Sequence, residues 1–148
     1  MEKRTLEVLE FNKIIEILAG YAVTVQGKEI VRALVPHSDM DVVEQALKET
    51  DEAVRMICSK GNPPLTGLHD IRPSLRRLEM GASITPGELL HVADTLRVCR
   101  EMGNYIGEKN DSDRYEAVAA LILSLVPNKK IEEKIYHCVV NEEEVSDR

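Results

Sequence analysis

An all-α fold is predicted: a multi-helix bundle of antiparallel helices interrupted by one long irregular joint at about residues 61–73. Three observations lead there. Apolar residues recur at spacings of three and four along most of the chain, no stretch sustains the alternation of a strand, and Gly or Pro punctuates the periodic segments. The core must be aliphatic, because hydrophobic residues make up 43% of the sequence and aromatic residues only 3%. Such a Leu-, Ala-, Glu- and Lys-rich composition favours helix. At 148 residues the chain reads as a single helical segment that can bury roughly two thirds of its unfolded surface.

The elements follow in order. From Thr5 to Ala19, Leu6, Leu9, Phe11, Ile14, Ile15 and Leu18 define a helical face with a hitch near Glu10–Asn12, and Gly20 is placed to end it. Thr24 caps a second helix carrying Val25, Ile30, Val31 and Leu34, which Pro36 stops. The connection of about three residues implies antiparallel packing of the two. Ser38 or Asp39 opens the longest helix, whose stripe runs through Val43, Leu47, Val54 and Ile57 and stops at Gly61. Asp41 there meets the positive end of the helix.

The joint, with Pro63, Pro64, Gly67 and Pro73, cannot be continuous helix. Leu65, Leu68 and Ile71 pin it to a core. Pro73 then suits the first turn of a short helix closed by Gly81. Thr85-Pro86-Gly87-Glu88 is the strongest local signal, an N-cap threonine, a proline at N1 and a glutamate at N3 forming a capping box. Its helix is expected to end at Gly103, with a polar loop over Asn104–Asp113. Tyr115–Val126 is apolar over more than half its circumference and reads as a deeply buried helix. Beyond Pro127, Ile131, Ile135, Tyr136 and Val139 form a last helical face, and Glu142–Arg148 reads as a frayed acidic end cut short of a compact finish.

Charge and chemistry narrow the function. A formal net charge of -7 argues against a domain that grips nucleic acid alone. The sequence contains no apolar run near the roughly 20 residues of a membrane span and no signal-type start, so a cytoplasmic protein without membrane contact is expected. Cys58, Cys99 and Cys138, odd in number and far apart, read as reduced, mostly buried thiols. Ala22–Glu29 resembles a phosphate loop only in Gly27-Lys28. It lacks the first glycine and the Ser or Thr after the lysine, and follows no strand, so Lys28 reads as a solvated helix residue. His37, His69, His91 and His137 with the three cysteines form no ligand spacing for a metal. Ser59, Ser83 and Cys99 sit in no nucleophile motif, leaving no catalytic or cofactor-binding set.

The remaining candidates lie at and after the joint. Gly67, Asp70, Arg72 and Pro73 are its structural residues, with Asp70 able to accept from a backbone N–H at the start of the Pro73 helix or to pair with an arginine. Arg72, Arg76 and Arg77, with Arg97 and Arg100 on the later helix, are either structural ion pairs or a basic patch facing a phosphate or an acidic partner.

These residues carry a resemblance. Leu65-Thr66-Gly67-Leu68-His69-Asp70-Ile71, then Arg76 or Arg77, Gly81 and Thr85–Leu90, with Thr24-x-x-Gly27-Lys28, Leu34 and Pro36 upstream, resembles the core of MutS proteins. Leu9–Ile14, Glu49-Thr50-Asp51-Glu52-Ala53 and Asp70-Ile71-Arg72-Pro73 are similar to the second bacterial branch of that family, with Asn12 where an aspartate is usual. That branch begins directly with the core, as this chain does after Met1. The resemblance implies a non-catalytic N-terminal core and lever segment, without the clamp and ATPase. Its parent would be a homodimeric, ATP- and Mg-using nucleic-acid clamp with endonuclease activity, suppressing recombination on DNA or splitting collided ribosomes. The segment's own partner would be the remainder of that parent, leaving one apolar face uncovered in the isolated chain. The competing reading is a free-standing helical adaptor for a protein partner.

Overall fold

The computed structural model describes residues 3–107 and 114–139; the expected loop past Gly107 and the acidic end from Glu142 lie outside them. The described residues form eight helices and no strand. The chain divides into two compact units, Met1–Asp51 and Glu52–Arg148.

In the first unit, α1 (Lys3–Val8) and α2 (Phe11–Tyr21) replace the single expected helix. The hitch is a complete break: Glu10 adopts a left-handed conformation with φ 53°, which the Lys13 ammonium braces by an ion pair at 2.6 Å. Gly20 does not end α2, which continues to Tyr21 before Ala22 turns extended. Thr24 caps α3 (Val25–Arg32), its hydroxyl accepting from the Gly27 N–H at 3.0 Å. A Cβ on Gly27 would lie 2.9 Å from that hydroxyl, so the bare glycine is part of the cap. Helices α2 and α3 pack together. Arg32 reaches back to Glu16 with two bonds, at 3.0 and 2.9 Å, while Ala22 lies beside Gly27. High numbers on one helix thus meet low numbers on the other, and the pair is antiparallel. The guanidinium holds the Glu16 carboxyl below its usual range. Helix α4 (Met40–Lys60) begins in this unit, with the Asp39 carboxylate accepting from the Asp41 N–H.

The second unit is built around α6 (Pro86–Ile106), with α5 (Arg72–Glu79), α7 (Glu116–Leu123), α8 (Lys129–Cys138) and the end of α4 about it. Met56, Ile106, Tyr115, Ala119 and Ile122 form its core, lined by Met102, Tyr105 and Val118. Gly81 closes α5 with φ 80°, and paired backbone bonds from Gly81 to Leu78 and from Ala82 to Arg77 complete a Schellman turn. Helices α6 and α8 run antiparallel, since Asp94 meets Tyr136 and Arg100 meets Glu132.

Three expectations are corrected here. Gly103 does not end α6; the helix runs three residues further and caps at Gly107. The Lys60 ammonium donates to the carbonyls of Tyr105 and Ile106 at 3.1 and 2.6 Å, and Ile106 is 2% exposed in the core. Those contacts outweigh the roughly 1 kcal/mol cost of an interior glycine. Secondly, Leu47, Val54 and Ile57 of the expected α4 stripe are exposed, and the residues α4 buries are Glu52 and Met56. Thirdly, the helix expected over Tyr115–Val126 is α7 alone, Tyr115 being its N-cap, and Leu121, Leu123 and Val126 are exposed.

Glu52 explains the second correction. Tyr115 has no side chain able to cap α7, and the Glu52 carboxylate does so from another helix, accepting from the N–H groups of Ala117 and Val118 at 2.7 and 3.1 Å. It is 3% exposed, so the negative charge sits on the positive end of α7 with little competition from water. The Tyr115 hydroxyl is also buried and has no hydrogen-bond partner among the described residues. Two outcomes follow for equilibrium urea unfolding. Glu52→Ala should cost about 1–3 kcal/mol by stranding two buried donors, whereas Tyr115→Phe should be neutral or stabilising by up to about 1 kcal/mol. A Glu52→Ala chain as stable as the parent would refute the cross-helix cap.

Candidate functional site

The joint between α4 and α5 lies against α6, and each of its anchors is a polar group of α6 meeting backbone or charge from the joint. Arg97 donates through Nη2 to the Thr66 carbonyl at 3.0 Å and through Nη1 to Glu101 at 2.9 Å. Gly67 has φ 90°, and a Cβ there would lie 2.6 Å from Arg97 Nη2. Glycine is therefore required twice over, by backbone conformation and by the arginine's approach. The next turn of joint brings the His69 ring onto His91 of α6, stacked at 4.0 Å and 19°. His69 Nε2 is 3.7 Å from Asp94, and its N–H donates to the Thr95 hydroxyl at 3.4 Å. On the other side of Asp94, the Tyr136 hydroxyl donates at 2.7 Å, bringing α8 into the same cluster. Burial and the bond to Asp94 both push the Tyr136 phenol up.

The far end of the joint is fixed by Asp70. Its carboxylate accepts from the Arg72 N–H at 3.2 Å and from the Arg72 side chain at 2.7 Å on each oxygen, so it both caps the start of α5 and pairs with an arginine. The hydrogen bonds of Arg72 hold Asp70 below the usual carboxylate range, with Arg76 adding to the field. Pro73 stands in the first turn of α5, where its missing N–H costs nothing. The near end is fixed to the end of α6, where the Tyr105 hydroxyl donates to the Gly61 carbonyl at 2.6 Å.

Glu88 is the second hub. The capping box is complete, with Thr85 Oγ1 accepting from the Glu88 N–H at 3.2 Å and Glu88 accepting from the Thr85 N–H at 2.9 Å. The same carboxylate also accepts from the buried Ser74 hydroxyl at 2.8 Å and from Arg77, which ties α5 to the first turn of α6. The Thr85 N–H and the Ser74 hydroxyl bring its pKa down to about 2. Arg100 makes a two-pronged pair with Glu132 of α8 at 2.7 and 3.1 Å. That bond holds Glu132, only 5% exposed, below its ordinary range.

Four of the five arginines in the candidate patch are thus engaged by carboxylates: Arg72 by Asp70, Arg77 by Glu88, Arg97 by Glu101 and Arg100 by Glu132. Arg76 lies within the field of Asp70. Among the described residues, no group of three or more His, Cys, Asp or Glu is placed to hold a metal ion. The run Ala22–Glu29 forms the capped start of α3, with Lys28 on the helix and partly buried. Cys99 and Cys138 are half-buried as free thiols, and burial pushes the Cys99 thiol up, away from nucleophilic use. Cys58 is exposed, which corrects the expectation for that residue.

Sequence reasoning missed Glu52, Glu101, Glu132, Asp94 and Ser74, the acceptors and donors that answer the candidate residues. Glu101 had a signal, four residues after Arg97 on one helix. Glu132 and Glu52 had none, because their partners are 32 and 65 residues away in sequence.

The chain is similar to the protein named Endonuclease MutS2 of Acetivibrio thermocellus, at 45% identity over 148 residues, 99% of this chain. It is 43% identical over 147 residues to Endonuclease MutS2 of Ruminiclostridium cellulolyticum, and 39% over 148 to that of Clostridioides difficile. The chain is a MutS2-like segment. It spans about a fifth of the length of these curated relatives, 19% in each case. No protein-family model matches it. The MutS2-like segment contains every residue of the joint, so the geometry above belongs to the matched region itself. No helix among the described residues is long and apolar enough to cross a membrane.

Two measurements test this geometry. Gly67→Ala should destabilise by about 1–3 kcal/mol through its positive φ and the collision with Arg97. In the Arg97→Ala background the same change should cost less, since only the backbone part remains; equal costs in both backgrounds would refute the packing argument. The Glu88 contribution, set by a depressed pKa, is complete above the unfolded value of 4.5 and is lost as pH falls towards about 2. Thermal unfolding across that window should therefore show a weaker acid dependence in Glu88→Gln than in the unaltered chain.

Proposed function

We propose that this chain is a non-catalytic core and lever segment of a MutS-like, nucleic-acid-binding ATPase. The observation that carries the proposal is the double fixing of the joint, by Arg97 on Thr66 beside Gly67 and by Tyr105 on Gly61. Helices α4 and α6, each 21 residues and so about 31 Å long, are joined end to end by Lys60 and Tyr105. A displacement applied to one rod is passed to the other, because the connecting loop has no slack in which to absorb it. Conformational transmission of this kind needs stiff elements and a defined joint.

On this reading ATP and Mg bind elsewhere in a longer, homodimeric, cytoplasmic parent, and contact with DNA or ribosomes is made by other parts of it. The relatives' name supports an endonuclease among those parts. The net charge of -7 and the pairing of the candidate arginines support a mechanical role over a gripping one.

The test uses the longer protein. Gly67→Ala combined with Arg97→Ala should leave basal ATP turnover in place and reduce the effect of nucleotide on nucleic-acid affinity by about tenfold, the scale of a typical coupling free energy. Unchanged coupling would sink the lever. Fluorescence anisotropy of the isolated chain with branched DNA, duplex DNA and ribosomal RNA at two salt concentrations supplies the other arm. No binding is expected. Salt-sensitive binding lost on joint replacement of Arg72, Arg76 and Arg77 by Ala would make the joint a nucleic-acid contact instead.

A further inference from the structure

Helix α2 is apolar on two sides, and only one of them is covered. Ile15 and Ala19 are buried, 8% and 1% exposed, and Glu16 beside them pairs with Arg32 of α3. Ile14, Ile17, Leu18 and Tyr21, at spacings of three and four, form a second stripe that is 45–81% exposed. At about 3.6 residues per turn this stripe points away from the Ile15–Ala19 face and hence away from α3. A helix apolar on opposite sides is stable in water only when it lies between two layers.

The rest of the first unit points the same way. Ile15 and Ala19 are the buried hydrophobic residues of Met1–Asp51 among those described. Val25, Ile30 and Leu34 on or after α3, and Met40 and Leu47 on α4, are all at least 45% exposed. Two buried side chains do not make a core for four helical elements. Nor would a second copy suffice, since one isologous contact covers one patch and the bare apolar residues lie on three different helices.

We infer that the Ile14, Ile17, Leu18 and Tyr21 stripe is a docking face for an amphipathic helix of the parent protein, from the four fifths of the relatives' length outside the match. The occupant presents an apolar stripe of the same three- and four-residue spacing, and α2 becomes the middle layer of a helical core that this chain contributes only in part. Such a patch exceeds what monomeric proteins leave bare without use. The inference rests on the reading of the chain as a segment of a longer parent.

Thiol labelling tests it. In Leu18→Cys and, separately, Ile17→Cys, the introduced thiol is followed by mass spectrometry of the peptide that carries it, so the native cysteines do not interfere. Expected is rapid labelling in the isolated chain at low concentration and labelling at least about tenfold slower in the longer protein. Equal rates in both would overturn the inference. Slow labelling in the isolated chain that speeds up on dilution would also overturn it, by making a second copy the occupant. The lever is judged separately: protection at position 18 with no loss of nucleotide coupling in the joint variants keeps the docking face and removes the lever, and the reverse pattern removes the docking face alone.

Discussion

The Arg97 guanidinium sets the geometry of the second unit. It stands on the side of α6 and donates to a backbone carbonyl of the joint, through a gap that exists only because residue 67 has no side chain. A loop carbonyl facing a helix would otherwise need water, and a loop solvated along its length has little reason to adopt one path. With the carbonyl bound, the following residues are led into position: His69 onto His91, then Asp70 onto Arg72 at the mouth of α5. The direction of α5 is thereby set before its own contact with α6, through Glu88, is made. Few apolar contacts are involved, so the joint draws its order from directional bonds, which specify an angle where apolar burial specifies only proximity.

Much of this was legible in the sequence wherever the controlling interaction is local. Thr24, Thr85 with Glu88, Pro73 and Gly81 act within four residues of themselves, and their caps and turns stand where propensity and spacing put them. The failures share one cause. Gly103 is a poor helix residue, and local reasoning ends α6 there, but Lys60 binds the carbonyls of the following turn from 45 and 46 residues away. Glu52 reads as one more acid on the solvent face of α4, and only the fold reveals that the start of α7 needs its carboxylate. The arginines were legible as a set but not as pairs, since the acids that answer Arg77 and Arg100 come from other helices.

That pairing decides how the basic residues act. A guanidinium held in a two-pronged bond to a carboxylate must leave it before it can meet a phosphate, and the exchange gains little when the carboxylate is left buried. Glu132, 5% exposed, is such a case: freeing Arg100 would strand a charge inside the unit. Arg72 and Arg77 are more exposed and could exchange partners at lower cost, yet their acids, Asp70 and Glu88, are the residues that fix both ends of α5. The positive charge in this chain is spent on angles between helices.

The two units therefore solve different problems with one kind of element. In Glu52–Arg148 the polar groups of each helix are answered by another helix of the same unit, and a compact apolar cluster of Met56, Ile106, Tyr115, Ala119 and Ile122 lies among them. In Met1–Asp51 a single cross-helix ion pair, Glu16 with Arg32, joins α2 to α3, and the apolar side chains on the outer face of α2 outnumber those within. A unit of the second kind gains most of its stability from whatever covers it, because the favourable term is area removed from water and that area is still exposed. A segment that is internally braced at its joint and unfinished on another face is suited to carry force between parts of a larger molecule: the braced part keeps its angle, and the unfinished face is where the rest of the molecule takes hold.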